Sequence, residues 1–159
     1  MVYKNGNTLV LHFSNYDRRQ YSSTLNITLP ALVGCNFSGA VNARLSGFPR
    51  VDKVDLALSG SSLAQWDIET GELHFSLSGA SQLLLKGEGQ ILQGTISGAS
   101  ILSAFDYGST EVKLLVSSNA KVRASRSLYV NATGASSVLY RGNPQLIVKA
   151  SGASTVRQE

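Results

Sequence analysis

The chain has 159 residues, of which 43% are hydrophobic, so it is long enough to bury the core of one domain. No run of about 18 apolar residues indicates a membrane-spanning helix, and a single cysteine excludes an intrachain disulfide framework. Fifteen glycines against three prolines, with few segments of helical periodicity, favour strands and tight turns over helices.

The N-terminal part of the sequence predicts two strands separated by a loop. Asn5-Gly6 is a tight-turn signal, and apolar residues of one parity over positions 9–13 are typical of a half-buried strand. The polar stretch at residues 14–23 lacks periodicity and is expected to be a solvated loop. Alternation resumes over residues 25–29 and predicts a further strand that ends at Pro30.

The only cysteine follows Leu32-Val33-Gly34, a sequence similar to a bacterial lipoprotein processing site. The residues before it alternate like a strand instead of forming an apolar run, which argues against processing. Val33, Cys35 and Phe37 share one parity, so Cys35 is expected to be a buried free thiol. With no Cys or His at ligand spacing, a zinc site is not expected.

Near copies of Ser78-Gly79-Ala80-Ser81 recur from the second quarter of the chain to its end. The copies start at positions 38, 59, 78, 97, 118, 133 and 151, which gives steps of 21, 19, 19, 21, 15 and 18. A period near 20 residues predicts a solenoid of stacked coils. The second residue of each copy is predicted to form a structural corner, namely Gly39, Gly60, Gly79, Gly98, Asn119, Gly134 and Gly152.

An alternating apolar segment leads into each copy and another leads out of it, so the motif is interpreted as a corner between strands. Glycine allows the positive φ that a sharp turn needs, and Asn119 is the next most tolerant residue for that conformation. The alanine after the glycine is predicted to point inward and to stack with its equivalents. The flanking serines are predicted to face outward or to bond local backbone groups.

A second turn is predicted about ten residues after each corner, where turn formers or polar clusters occur. Two corners in each coil imply two principal faces of parallel strands at about 4.8 Å spacing, connected in a right-handed sense. The predicted second turns are Gly47-Phe48-Pro49, Gln65-Trp66-Asp67, Gly87-Glu88-Gly89, Asp106-Tyr107-Gly108, Ser125-Arg126 and Gly142-Asn143-Pro144.

These patterns predict an all-β protein, a single right-handed parallel β-helix with about 20 residues in each coil. The domain is expected to span residues 1–159, with N-terminal strands and an edge coil at 1–37 and the repeat coils at 38–157.

The repeated corners, Ala104-Phe105-Asp106 and Tyr140-Arg141-Gly142-Asn143-Pro144 together resemble the head GIN domain family. The resemblance covers roughly residues 24–157. It implies a β-helix of pectin-lyase-like architecture from secreted or surface proteins of Bacteroidetes, described as autotransporter-type adhesins without established catalytic residues. Family members usually have acidic Gly-Ala-Gly-Asp corners, whereas this chain has Ser, Gln or Ile at that place and is net basic.

Three carboxylates are spaced so that a solenoid could bring them together. Asp67, Glu88 and Asp106 are 21 and 18 residues apart, close to one period, so they could form one ladder. Such a ladder could bind Ca²⁺ or supply an acid and a base for polysaccharide cleavage, and Trp66 and Tyr107 beside it could stack on sugar rings. These five residues are the candidate ligand-binding set, with ordinary polar turns as the alternative.

The excess of positive charge lies in the C-terminal half of the chain. Residues 80–159 contain eight Lys or Arg and four Asp or Glu, while residues 1–79 contain six of each. Lys121, Arg123 and Arg126 alternate around one strand and could face an anionic glycan, lipopolysaccharide or solvent. No aromatic residues are interleaved among them in the way that nucleic-acid binding needs.

The sequence and the resemblance together favour a non-catalytic extracytoplasmic recognition or cell-adhesion module, with a polysaccharide-active enzyme as the alternative. The expected partner is a cell-surface glycan or protein; nucleic acid, a membrane span, a metal and any other cofactor are not expected. The expected location is the cell surface, the outer membrane or the periplasm. The N-terminus lacks the apolar core of a secretory signal, so that segment is expected to be missing from this sequence.

Overall fold

A computed structural model describes residues 2–12 and 23–159, and within these ranges all regular secondary structure is β-strand. The loop predicted at residues 14–23 lies outside the described residues except for Ser23. The predicted parallel β-solenoid is confirmed, with about seven turns and about 19 residues in each turn.

The N-terminal residues form a small antiparallel hairpin. Strands β1 (Val2–Asn5) and β2 (Thr8–Leu11) pair across a turn in which Gly6 has a φ of 57°. The strand predicted over residues 25–29 is not formed, although the segment alternates, because no described strand pairs with it. Alternation alone therefore did not identify a strand here.

The solenoid is one continuous parallel sheet wound around a core. The long strands β6 to β9 each run from one corner to the next, so one strand spans almost a whole coil. The strands are β3 (Gly34–Phe37), β4 (Asn42–Leu45), β5 (Val51–Leu58), β6 (Leu63–Leu77), β7 (Gln82–Ile96), β8 (Ile101–Val116), β9 (Asn119–Ala132), β10 (Ser137–Arg141), β11 (Gln145–Ala150) and β12 (Thr155–Gln158).

Each coil has a first run after its corner and a second run before the next corner, and alternate residues of both runs fill the core. Inward positions of the first run stack in register, as do those of the second run. One such row is Ala64, Leu83, Leu102, Ala120 and Val138, and the facing row is Leu73, Leu92, Val112 and Leu128. Strict alternation with burial on one side explains why apolar residues occur at every second position.

The two runs are separated by a break in some coils and by a bend within a strand in others. Residues 46–50 separate β4 from β5, and residues 142–144 separate β10 from β11. The turn predicted at Gln65-Trp66-Asp67 is wrong, because these residues lie inside β6. Asp106-Tyr107-Gly108 likewise lies inside β8, at an irregularity in pairing.

That irregularity is a bulge of three residues in β8. Ala104 pairs with Val122 and Gly108 pairs with Arg123, so residues 105–107 have no counterpart on β9. The extra residues reverse the alternation and turn the side chain of Tyr107 into the core, where it is fully buried.

The corner glycines are required by their conformation and by their stacking. Gly79 and Gly98 both have a φ of 72°, and a Cβ on Gly98 would lie 2.5 Å from the carbonyl oxygen of Gly79. That oxygen accepts a 2.8 Å hydrogen bond from the backbone N–H of Ala99, so it cannot move away without breaking the bond between coils.

The inward orientation predicted for the alanines is wrong, whereas the predicted bonding of serines to local backbone groups is confirmed. The alanines after the glycines are exposed, whereas the last serine of the motif is buried. The reason is that this serine closes the turn from inside: the Ser81 hydroxyl donates to the carbonyl oxygen of Ser78 at 2.7 Å, and the Ser62 hydroxyl donates to that of Ser59 at 2.9 Å.

Asn119 is not a corner residue. It is the first residue of β9 and pairs with Ile101 and Ser137, so the corner before it consists only of Ser117 and Ser118. This corner is two residues shorter than the others. The buried Ser118 hydroxyl donates to the carbonyl oxygen of Ser100 at 2.5 Å and so replaces the contact that a longer corner makes.

Replacing glycine by alanine at two corners separates the cost of stacking from that of positive φ. Gly134 has a φ of 71° but no atom within 4 Å of its Cβ position, because the corner beneath it is the short one. We expect Gly134→Ala to cost about 1–2 kcal/mol of unfolding free energy. Gly98→Ala should cost about 1–3 kcal/mol more, because of overlap with Gly79. Equal costs in urea denaturation would contradict the stacking argument.

A second prediction concerns the buried Tyr107 hydroxyl, which has no hydrogen-bond partner among the described residues and fills the space that Gly89 leaves free. Tyr107→Phe should leave stability unchanged or raise it by up to about 1 kcal/mol, because an unsatisfied buried group is removed. Gly89→Ala should cost about 1–3 kcal/mol by overlap with the hydroxyl. Combining both changes should recover part of that loss in a double-mutant cycle, and strictly additive effects would contradict the contact.

A third prediction follows from Cys35, a half-buried free thiol that packs beside Leu56, although Val33 of the same parity is exposed. Burial raises the pKa of Cys35 from 9.0 to about 12. Between these values the unfolded chain loses a proton that the folded chain keeps, so this contribution to stability is present below pH 9 and declines above it. Above pH 9 the unfolding free energy of the wild type should fall more steeply with pH than that of Cys35→Ala. The difference in slope should reach about 1.4 kcal/mol per pH unit. Parallel curves from pH 8 to 10.5 would contradict it.

Candidate binding surfaces

The predicted ladder of three carboxylates is not formed. Strand register places Lys86 between Asp67 and Asp106, so that row alternates in charge. Glu88 lies two residues further along and is paired with Glu69 and Gly108. Within the part of the chain that the structure describes, no group of three His, Cys, Asp or Glu side chains could hold a metal ion. The arrangement therefore offers neither a Ca²⁺ cage nor an evident acid and base pair.

The two aromatic residues predicted to stack on sugar rings are core residues. Trp66 is 1% exposed and Tyr107 is 0% exposed. Trp66 follows the inward parity of β6, and Tyr107 is turned inward by the bulge. Burial also raises the pKa of Tyr107, which keeps its hydroxyl neutral. Neither ring can contact a ligand at the surface.

A different aromatic residue is partly accessible at the bulge in β8. Phe105 is half-buried and Asp106 is exposed, while Ala104 before the bulge is buried and Gly108 after it is half-buried. Bulges commonly redirect side chains beside functional sites. Phe105 keeps the outward parity of the first run, and the irregularity reverses the alternation only after it, which buries Tyr107.

Two cations lie over the Phe105 ring. The Cζ atom of Arg141 is 4.1 Å from the ring centroid, and the Nζ atom of Lys121 is 5.9 Å from it. Both distances are within the range in which a cation is attracted to the face of an aromatic ring. Three different strands, β8, β9 and β10, supply these side chains, so the sheet holds them in place.

Arg123 adds a third cation to this group because it pairs with Arg141 in the register of β9 and β10. Arg141 forms an ion pair with Glu159, with 2.5 Å between Nε and Oε2. Among the described residues neither Lys121 nor Arg123 takes part in an ion pair. We call the group of Phe105, Lys121, Arg123 and Arg141 the bulge cluster.

The third cation of the predicted basic strand does not belong to this cluster. Arg126 lies beyond the irregular part of β9, and its Nη2 atom is 3.2 Å from Oε1 of Glu111. Its charge is therefore compensated locally, in contrast to those of Lys121 and Arg123.

A second exposed surface lies on the second runs of β8, β9 and β11. Tyr129 pairs with Lys113 on one side and Ile147 on the other, and Ser127 pairs with Gln145. A depression of about 370 Å³ lies among them, with Leu128 at its floor. We define the Tyr129 surface as Lys113, Leu115, Ser127, Tyr129, Gln145 and Ile147.

The Tyr129 surface combines exposed apolar groups with an aromatic ring and hydrogen-bonding side chains. Leu115 is 51% exposed and Ile147 is 53% exposed, because both point away from the core. Tyrosine supplies a rigid contact area with a polar end, and Ser and Gln supply adaptable hydrogen bonds. This composition is typical of recognition surfaces.

Both surfaces depend on the exact register between coils, so the sequence patterns identified only the cations Lys121 and Arg123 of the bulge cluster and missed the Tyr129 surface. Arg123 and Arg141 are 18 residues apart, and so are Tyr129 and Ile147, which is the local coil length. A period averaged over the whole chain does not resolve that spacing. Phe105 and Arg141 were singled out in the sequence only as family markers.

Among the described residues, no helix is long and apolar enough to cross a membrane. A search of curated proteins finds no significant match. Among solved structures, an adhesin described as putative from Bacteroides fragilis superposes with a TM-score of 0.87 at 21% identity, covering 100% of this chain and 76% of that one. A similarly described adhesin from Parabacteroides merdae gives a TM-score of 0.58 at 13% identity, covering 84% of this chain and 94% of that one.

At these identities the two structures establish the fold alone. A family model carries more information, because it is matched over residues 1–144 by the family described as "Putative auto-transporter adhesin, head GIN domain". The matched range includes strands β1 to β10, which carry all four residues of the bulge cluster. The chain therefore belongs to the head GIN domain family.

Proposed function

We propose that this chain is a non-catalytic recognition module that acts outside the cytoplasm in cell adhesion, and that it contacts its partner through the Tyr129 surface. The observation that carries the proposal is the exposure of Leu115 and Ile147 on either side of Tyr129, on strands whose other outward positions are mostly polar. Exposed apolar groups with a polar surround mark interaction sites on soluble domains.

The family supports a role in adhesion, since its description names an auto-transporter adhesin and two solved structures with this fold are named adhesins. Adhesion requires contact with molecules outside the cell, so an extracytoplasmic location is part of the proposal. A rigid parallel sheet suits this task, because its side chains are fixed before a partner binds.

A cell-surface glycan is the partner that the Tyr129 surface favours. The depression of about 370 Å³ is within the size range of small-ligand sites, which combine apolar walls with a few polar groups. The ring of Tyr129 can contact the apolar face of a sugar, while the side chains of Ser127, Gln145 and Lys113 can bond its hydroxyl groups.

Polysaccharide cleavage, the alternative that the sequence suggested, has no comparable observation in its favour. It relied on Asp67, Glu88 and Asp106 lying together and on Trp66 and Tyr107 facing the substrate. Register separates the carboxylates, and burial removes both rings from the surface.

The test is a glycan-array screen with labelled protein, followed by affinity measurement with the glycans retained. Tyr129→Ala should weaken binding about tenfold or more, because truncating a central aromatic residue typically removes most of its contact energy. Tyr129→Phe should keep the ring contact and lose only the hydroxyl's hydrogen bond. The matched control is Tyr3→Ala, which removes a 48% exposed tyrosine from β1 and should change binding less than about twofold.

Three outcomes would count against the proposal. If Tyr129→Ala binds as the wild type does, the contact surface is elsewhere. If the wild type binds a cell-surface protein but no glycan, the partner class is wrong. If it binds neither glycans nor intact cells, the recognition role itself fails.

A further inference from the structure

We propose that the bulge cluster is a binding site for acidic saccharides, with Lys121, Arg123 and Arg141 contacting a carboxylate or sulfate group and Phe105 holding Arg141 and Lys121 in place. The site is formed by first runs, whereas the Tyr129 surface lies on second runs of the same coils. The two sites can therefore be tested independently of each other.

The first argument is the local balance of charge. The cluster contains three cations, Lys121, Arg123 and Arg141, and no carboxylate. Glu88 lies across Gly108 from Arg123, and no ion pair joins the two among the described residues. Asp106 pairs with Lys86 in register, and Glu159 pairs with Arg141. Lys121 and Arg123 thus remain uncompensated, and their mutual repulsion favours binding of an anion.

The second argument is the geometry of the arginines. Arg123 and Arg141 are neighbours on adjacent parallel strands, which lie about 4.8 Å apart. Guanidinium groups bind carboxylate and sulfate-like oxyanions through two parallel hydrogen bonds, a geometry that lysine cannot provide. Arg141 uses only part of its five donors on Glu159, so both arginines can contact one anionic group.

The third argument is the aromatic ring among the cations. Phe105 is outward in the regular alternation of β8, since Leu102 and Ala104 are buried, and the Arg141 and Lys121 groups lie over its ring at 4.1 Å and 5.9 Å. A purely solvated charged surface has no need of a phenyl ring at its centre. The ring holds the two cations in place before a ligand binds, which favours binding of the fixed acidic group of a saccharide.

The other polyanions fit this site less well. Nucleic acid is bound by successive aromatic residues on which bases stack, and the described cluster has a single ring. A lipid headgroup site would need apolar side chains to enter the acyl region, and Lys121, Arg123 and Arg141 are all exposed and charged.

The experiment measures binding of the purified chain to polygalacturonate, dextran sulfate, unmodified dextran and a single-stranded DNA oligonucleotide at about 0.15 M salt, where distant charges are screened. We expect one or both acidic polysaccharides to bind and dextran to show no binding. Binding of polygalacturonate alone would identify carboxylate as the recognised group, and binding of dextran sulfate alone would identify sulfate.

Arg123→Gln should weaken acidic-polysaccharide binding about tenfold or more, since it removes a charge-assisted bond pair. Phe105→Ala should also weaken it, with a modest loss of thermal stability because the ring is half-buried, whereas Arg123→Gln at an exposed position should leave thermal stability close to that of the wild type. Lys149→Gln is the matched control: it removes one exposed charge from β11 and should change affinity less than about twofold.

The proposal is overturned if Arg123→Gln and Lys149→Gln weaken binding equally, because the effect would then be one of net charge. It is also overturned if the oligonucleotide binds more tightly than both polysaccharides, or if no polyanion binds. Tyr129→Ala should leave this binding unchanged, so failure of one site is distinguishable from failure of the other.

Discussion

The hydrogen bond between stacked corners fixes the register of the whole solenoid. In the regular coils the residue after each corner glycine donates its N–H to the carbonyl oxygen of the preceding corner glycine, at 2.7 to 2.8 Å. Once that bond is formed, every residue of the next coil has a defined partner, and each side chain is assigned to the core or to the surface. The absence of a side chain at the corner is what allows the backbones to approach so closely.

The bulge and the short corner belong to the same coil and are best understood together. β8 has 16 residues, one more than β6 or β7, and the corner that follows it has two residues where its neighbours have four. Residues that other coils use to turn are here placed in the strand. The coil length therefore stays near 19, while the stretch of strand after Phe105 leaves the regular pattern, exposes Asp106 and buries Tyr107.

The architecture could be predicted from the sequence because a recurring short motif forms the turn between successive strands. The sequence did not identify which corner residue faces the core, since the parity of Ala80 and Ser81 depends on how the turn closes, not on their hydropathy. It also misplaced Trp66 and Tyr107, because polar neighbours made buried positions look like turns. The pairing of Arg123 with Arg141 and of Tyr129 with Ile147 follows from an 18-residue spacing that only local register reveals.

The fit between Tyr107 and Gly89 makes adjacent coils dependent on each other in a way that limits how such proteins can lengthen. The tyrosine of one coil needs a residue without a side chain in the coil before it. A duplicated copy of the β8 coil, inserted directly after itself, would place a second tyrosine above Ser109, which pairs with Gly89 and has a Cβ at that position. The repeats are therefore not interchangeable units, and this part of the chain can be copied without a clash only as a pair of coils.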